Sequence, residues 1–169
     1  MNRILALLLL ITVVSCNKDD SYIEEFTGNE VSYSLFSASD IGSAGMVTFK
    51  ERTDGGVDVV VELDQQFSNG SFPVHLHYGD LSIEDAPQAT LLSDYSGNDN
   101  MSETTIFTLA DETNFDFARA QEFDGSIKIH LASNGPDYDV LIAAGNIGSN
   151  QDKGFNLMGI ANCGDNFEF

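Results

Sequence analysis

The chain has 169 residues, with 27 acidic side chains against 7 basic ones and a formal net charge of −20. That length supports one domain with a hydrophobic core of its own. The acid excess excludes nucleic acid as a partner, because phosphates need a basic patch, and it excludes docking on anionic lipid through surface charge. It is permissive for cations. The acids are scattered with no long block of one sign, which reads as a solvated surface and not as an acidic tail.

The chain begins with Arg3, followed by the unbroken apolar run Ile4 to Val14, "ILALLLLITVV". Such a run is too short to span a bilayer as a helix and suits a signal peptide. It closes in Val13-Val14-Ser15-Cys16, which resembles the lipobox of bacterial lipoproteins: aliphatic, small or aliphatic, small, then the cysteine that is acylated. Residues 1–15 are therefore expected to be a lipoprotein signal peptide, with Cys16 the lipidation site and new N-terminus. Acyl chains on one residue bury enough CH₂ groups to hold a protein stably at a membrane. Asn17-Lys18-Asp19-Asp20 is similar to the lysine-plus-acidic signal that places Bacteroidetes-type lipoproteins on the outer face of the outer membrane. The expected location is thus the bacterial cell envelope, surface-exposed on the outer membrane. Residues 16–30 are expected to be a lipidated N-terminus and acidic tether, and 31–169 the domain. Besides Cys16 the chain has only Cys163; with Cys16 lipidated, no intramolecular disulfide is available and the domain must live on its core.

From Val31 the pattern takes period two. "VSYSLFS" (31–37), "AGMVTFKE" (44–51) and "VDVVVEL" (57–63) alternate apolar with polar residues, and Asp54-Gly55-Gly56 gives a hairpin turn between the last two. "FPVHLHYG" (72–79) is the next strand. The segment 80–103 is rich in Ser, Asp, Asn and Gly and predicts a long loop with one short strand near Ala89 to Leu92. "TTIFTLA" (104–110) predicts a strand and "NFDFARAQEF" (114–123) a short helix capped by Asn114. "SIKIHLAS" (126–133) predicts a strand, "YDVLIAAGNIG" (138–148) a helical turn or strand, and "FNLMGIA" (155–161) a last strand. Seven or eight short strands, one short helix at most and no internal repeat predict an all-β fold, an antiparallel β-sandwich or barrel.

Residues i and i+2 of a strand share a face. In 72–79 that sets Phe72, Val74, Leu76 and Tyr78 opposite Pro73, His75 and His77. In 126–133 it sets Ile127, Ile129 and Leu131 opposite Lys128, His130 and Ala132. The three histidines therefore lie off the aliphatic stripe, as solvated residues or as the lining of a site on the outside of the sheet. A His-x-His pair on a strand can share one metal ion, and a third histidine on a neighbouring strand completes a set suited to Zn²⁺ or Cu²⁺ with positions left open. Hydrogen bonding to loop carboxylates such as Asp80 and Asp124 is the alternative use of these rings.

"FPVHLHYGD", "NDNMSETTIFTLAD", "FDGSIKIHLA" and "DVLIAAGNIG" resemble, in order over residues 31–150, the CHRD-domain lipoproteins of Bacteroidetes. CHRD domains are in turn similar to copper–zinc superoxide dismutases, so the resemblance implies a Greek-key β-sandwich of that type. It also implies that His75, His77 and His130 take the places of copper ligands. The departures are large. The chain has 3 histidines in all, so a bridging histidine and zinc histidines are missing. Asn150 stands where the dismutases carry the arginine that draws superoxide. No catalytic residue is assigned. The expectation is a membrane-anchored binding module whose metal is copper or zinc. The alternatives are a degenerate copper-dependent dismutase-like enzyme, a three-histidine zinc hydrolase with Asp80 or Asp124 as base, and a metal-free protein- or glycan-binding module that uses loop 80–103.

Overall fold

The computed structural model describes residues 24–154 and residue 160. Cys16, the anchor segment, Cys163 and all of the strand expected at 155–161 except Ile160 lie outside the described residues.

Among the described residues the fold is all-β with one short α-helix, as the strand periods predict. Ten antiparallel strands among these residues form one continuous sheet, in the order β4 (Ser71–Phe72), β7 (Tyr95–Ser96), β8 (Met101–Ile106), β3 (Val57–Leu63), β2 (Gly45–Arg52), β1 (Phe26–Ser37), β10 (Leu141–Gly148), β9 (Asp124–His130), β5 (Val74–Tyr78) and β6 (Gln88–Leu91). Strand β1 (Phe26–Ser37) joins its two halves. The body of β1 pairs with β2 (Gly45–Arg52), while its end, Phe36 and Ser37, pairs with Ala144 and Ala143 of β10 (Leu141–Gly148). The sheet curls so that both halves bury their apolar faces in one cluster. Val47, Phe49, Val59 and Val61 enter it from the β2–β3 side, and Leu76, Ile127, Ile129 and Ile142 from the other. Apart from Ile142, whose segment was expected as either a helical turn or a strand, these residues lie on the apolar faces that period two marks out, because a pleated strand can bury only alternate side chains against a single core.

β1 begins at Phe26, so residues 26–30, read as tether, already belong to the sheet. The hairpin from β2 to β3 (Val57–Leu63) turns at Gly55, whose φ of +89° is left-handed and suits glycine. Arg52 at its base contacts Glu25, Asp54 and the buried Asp58, which also accepts from Thr105 Oγ1. β4 (Ser71–Phe72) and β5 (Val74–Tyr78) are split at Pro73, which has no N–H to give to a ladder. The predicted loop 80–103 contains β6 (Gln88–Leu91) and a second short strand, β7 (Tyr95–Ser96).

β8 (Met101–Ile106) starts earlier than its apolar residues suggest. Asn100 takes a φ of +59° and its N–H bonds to Ser96, closing a tight turn onto β7. The helix is α1 (Phe117–Glu122), with Asp116 as the cap: its Oδ1 accepts from Arg119 N at 2.9 Å. Asn114 cannot cap it, because Asn114 bridges Thr108 while Phe115 N bonds to Phe107 O. β9 (Asp124–His130) follows, and a 3₁₀ turn at Pro136–Asp139 leads into β10. All eight residues of β10 are buried. One of its faces meets the core, and the other is covered by Leu81, which clusters with Leu141, Ala144, Ala38 and Ile160.

Candidate functional site

β5 and β9 are hydrogen-bonded neighbours, with His75 opposite Lys128 and His77 opposite Ser126. Val74 and Leu76 of β5, with Ile127 and Ile129 of β9, face the core. The alternate residues His75, His77, Ser126, Lys128 and His130 therefore share the other face, and the third histidine comes from the adjacent strand. The centre of the His75 ring lies 4.8 Å from that of His130 and 5.8 Å from that of His77.

This face is not solvated. His77, Lys128 and His130 are fully buried and His75 is 7% exposed. Burial comes from the chain that folds back over the sheet. The β5–β6 connection lays Leu81 and Ala86 across it, and Leu81 N is tied to Asn146 Oδ1 on β10 at 2.9 Å. From the other end, Tyr138 of the 3₁₀ turn stacks flat on His130, with ring centres 4.4 Å apart and planes 9° from parallel. The outer face of this half of the sheet is thus a second, partly polar interior.

Two rings have a fixed proton. His77 Nδ1 lies 2.9 Å from Ala86 O, and His130 Nδ1 lies 2.6 Å from Tyr138 O. A carbonyl can only accept, so each Nδ1 carries the hydrogen and each Nε2 carries the lone pair. Burial holds all three rings neutral. The His75 pKa is pushed down to about 3 by burial, then by His130, His77 and Lys128. His77 is pushed down to about 4 by burial, against the pull of the Ala86 carbonyl, with Lys128 adding to the depression. His130 is lowered by burial, with the Tyr138 carbonyl and Asp139 opposing.

Neutral imidazoles whose Nδ1 is anchored to backbone carbonyls are oriented for ligation through Nε2. Three of them sharing a zinc-like ion at about 2.0–2.1 Å would hold their ring centres about 5 Å apart; His75 lies near that spacing from each of the other two, at 4.8 Å from His130 and 5.8 Å from His77. The nitrogens do not yet converge: among the described residues no group of three His, Cys, Asp or Glu is placed to hold a metal ion as it stands. Two buried atoms in the row of His77, Ser126 Oγ on one side and Gln88 Nε2 on the other, have no hydrogen-bond partner among the described residues.

The carboxylates suggested by sequence are engaged elsewhere. Asp80 binds Lys153 Nζ at 2.9 Å and Ser82, and Asp124 accepts from Asn150 Nδ2. Asn150 itself is buried and also reaches Gly125 O, so it pins the start of β9. Sequence reasoning missed Lys128, Ser126, Gln88 and Tyr138. Period two does put Lys128 and Ser126 beside the histidines, but nothing in the sequence announces that loops would cover that face. Compared with known protein families, with curated proteins and with solved structures, the chain matches none.

Proposed function

We propose that this chain is an anchored binding module that takes a copper or zinc ion through His75, His77 and His130. The observation that carries this reading is the buried set of three neutral imidazoles on adjacent strands, two with Nδ1 bonded to a carbonyl. The donor chemistry fits: imidazole nitrogen suits both ions, and the set leaves coordination positions open. Ser126 Oγ, buried without a partner beside His77, is a polar atom that a bound ion or its water would satisfy. Lys128 lies opposite His75 in the β5–β9 pairing and is fully buried with it. When bound, the ion supplies a Lewis-acidic centre; the chain holds the rings neutral and excludes water from them.

The tether reading completes the proposal. Val13-Val14-Ser15-Cys16 supports acylation at Cys16, and Lys18-Asp19-Asp20 supports display on the outer membrane. The order of "HLHYGD", "IKIHLA" and "AGNIG" supports kinship with CHRD domains and a dismutase-like sandwich. A dismutase or hydrolase reading has less support, because Asp80, Asp124 and Asn150 are committed to other contacts.

Titration calorimetry of chelator-treated protein with Zn²⁺ and Cu²⁺ tests the metal site. The expected result is one ion per chain and loss of binding in the His75→Ala/His77→Ala/His130→Ala variant. Identical titrations for wild type and the triple variant would refute it.

A further inference from the structure

An ion bound by the three histidines must first reach a face that the chain covers. Leu81 is fully buried across that face, with its N–H held by Asn146 Oδ1 at 2.9 Å, and the Tyr138 ring lies flat on His130. One approach is open. A cleft of about 770 Å³ runs up to the edge of the face, and of the three histidines His75 alone lines it. His75 is also the ring with some exposure, at 7%, while His77 and His130 are fully buried.

The cleft is lined for a cation. The exposed carboxylates of Asp94 and Asp139 stand at its mouth, and no lysine or arginine is among the described residues that line it. Ser71 Oγ donates to Asp94 Oδ2 at 2.7 Å and steadies that carboxylate. Asp139 follows Tyr138, whose carbonyl lies 2.6 Å from His130 Nδ1, so one mouth carboxylate is a single residue from the group that orients a ligand ring. Deeper in, Gln88 is 7% exposed and its Nε2 has no hydrogen-bond partner among the described residues. That amide is a donor for a water molecule or small anion carried in with the ion. Two carboxylates attract a divalent cation twice as strongly as a monovalent one at the same distance. We propose that this cleft is the entry path of the metal ion: Asp94 and Asp139 gather a divalent cation at the mouth, and His75 takes it first, before His77 and His130 close on it. The inference rests on the metal reading above and adds to it a route and two residues that are not ligands.

The test is stopped-flow mixing of chelator-treated full chain with Cu²⁺, read by quenching of its tyrosine fluorescence, at 0.1 M and 1 M salt. At 0.1 M, charges are felt over about 10 Å, so the mouth acids act and distant ones do not. Asp94→Asn/Asp139→Asn should slow association about fivefold, within the range of electrostatic steering. Glu30→Gln/Asp40→Asn removes two exposed acids that do not line the cleft and should change the rate less than about twofold. At 1 M salt the mouth variant and wild type should agree within about twofold. Equal slowing by the two double variants would assign the effect to net charge and overturn the proposal. So would a mouth variant that associates as fast as wild type at 0.1 M, or one that no longer takes one ion per chain, which would make the acids ligands. Each of these three results leaves the three-histidine reading standing; a wild type that binds no ion in the calorimetry refutes that reading and this route with it.

Discussion

Acid should unfold this protein through its histidines before it reaches its carboxylates. A histidine in an unfolded chain has a pKa of about 6.5. In the fold, His75 is pushed down to about 3 and His77 to about 4. Above pH 6.5 both states are neutral at these rings and the difference has no effect. As the pH falls below that value the unfolded chain binds protons that the folded chain refuses, so stability is lost, at about 1.4 kcal/mol per pH unit for each ring. At pH 5 the loss is about 2 kcal/mol per histidine, or about 4 kcal/mol for His75 and His77 together, with His130 adding in the same direction. The most strongly held carboxylate, Asp80, is stabilised by Ser82 and Lys153 from its usual 3.8 to about 2. Its contribution is lost only as the pH drops through that lower interval. Urea unfolding of chelator-treated protein, followed by far-UV dichroism at pH 7.5, 6.5, 5.5 and 5.0, measures the effect. The midpoint should be flat down to about pH 6.5 and then fall steeply, and His77→Gln should remove about 2 kcal/mol of that slope-dependent loss. A midpoint constant or rising between pH 6.5 and 5.0 would mean that the rings are protonated in the fold, and the buried neutral face would be wrong.

Three further outcomes follow from other parts of the molecule. Arg52→Met should cost about 3 kcal/mol, because it strands the buried Asp58 carboxylate with Thr105 as its remaining side-chain donor among the described residues; denaturant midpoints measure it, and a loss under about 1 kcal/mol would mark the pair as a surface bridge. Gly145→Ala should abolish the soluble fold or cost several kcal/mol, since its Cβ would meet the backbone carbonyl of Ser34 where β10 approaches β1; a melting curve equal to wild type would contradict that approach. Cys16→Ser should move the protein from the membrane fraction to the soluble fraction on cell fractionation, and unchanged partition would refute the acyl anchor.

The strands were legible because one core demands one buried face. Val57 to Leu63 was readable to the residue, and so was the side on which each histidine falls. Boundaries slipped where backbone hydrogen bonds, not apolar pattern, decide them. Asn114 looked like the cap, but its backbone is taken by the Thr108 bridge, and Asp116 caps instead. β8 moved toward its N-terminus because a left-handed Asn100 closes a turn that polarity alone does not reveal. The larger gap concerns the site. Period two tells which face a side chain leaves by; it does not tell whether that face meets water. The histidine face meets Leu81, Ala86 and Tyr138, which arrive from segments that read as polar loops. That cover turns ordinary exposed imidazoles into neutral buried ones, and makes a lysine that looked solvated part of the same interior.

The central claim is that three imidazoles from β5 and β9 close on one ion. X-ray absorption spectroscopy of the zinc-loaded full chain measures this directly. The account predicts a first shell of nitrogen or oxygen at about 2.0–2.1 Å, with outer-shell scattering fitted by three imidazole rings and reduced to two in His130→Ala. A shell of oxygens without ring scattering, or a spectrum that His130→Ala leaves unchanged, would contradict it.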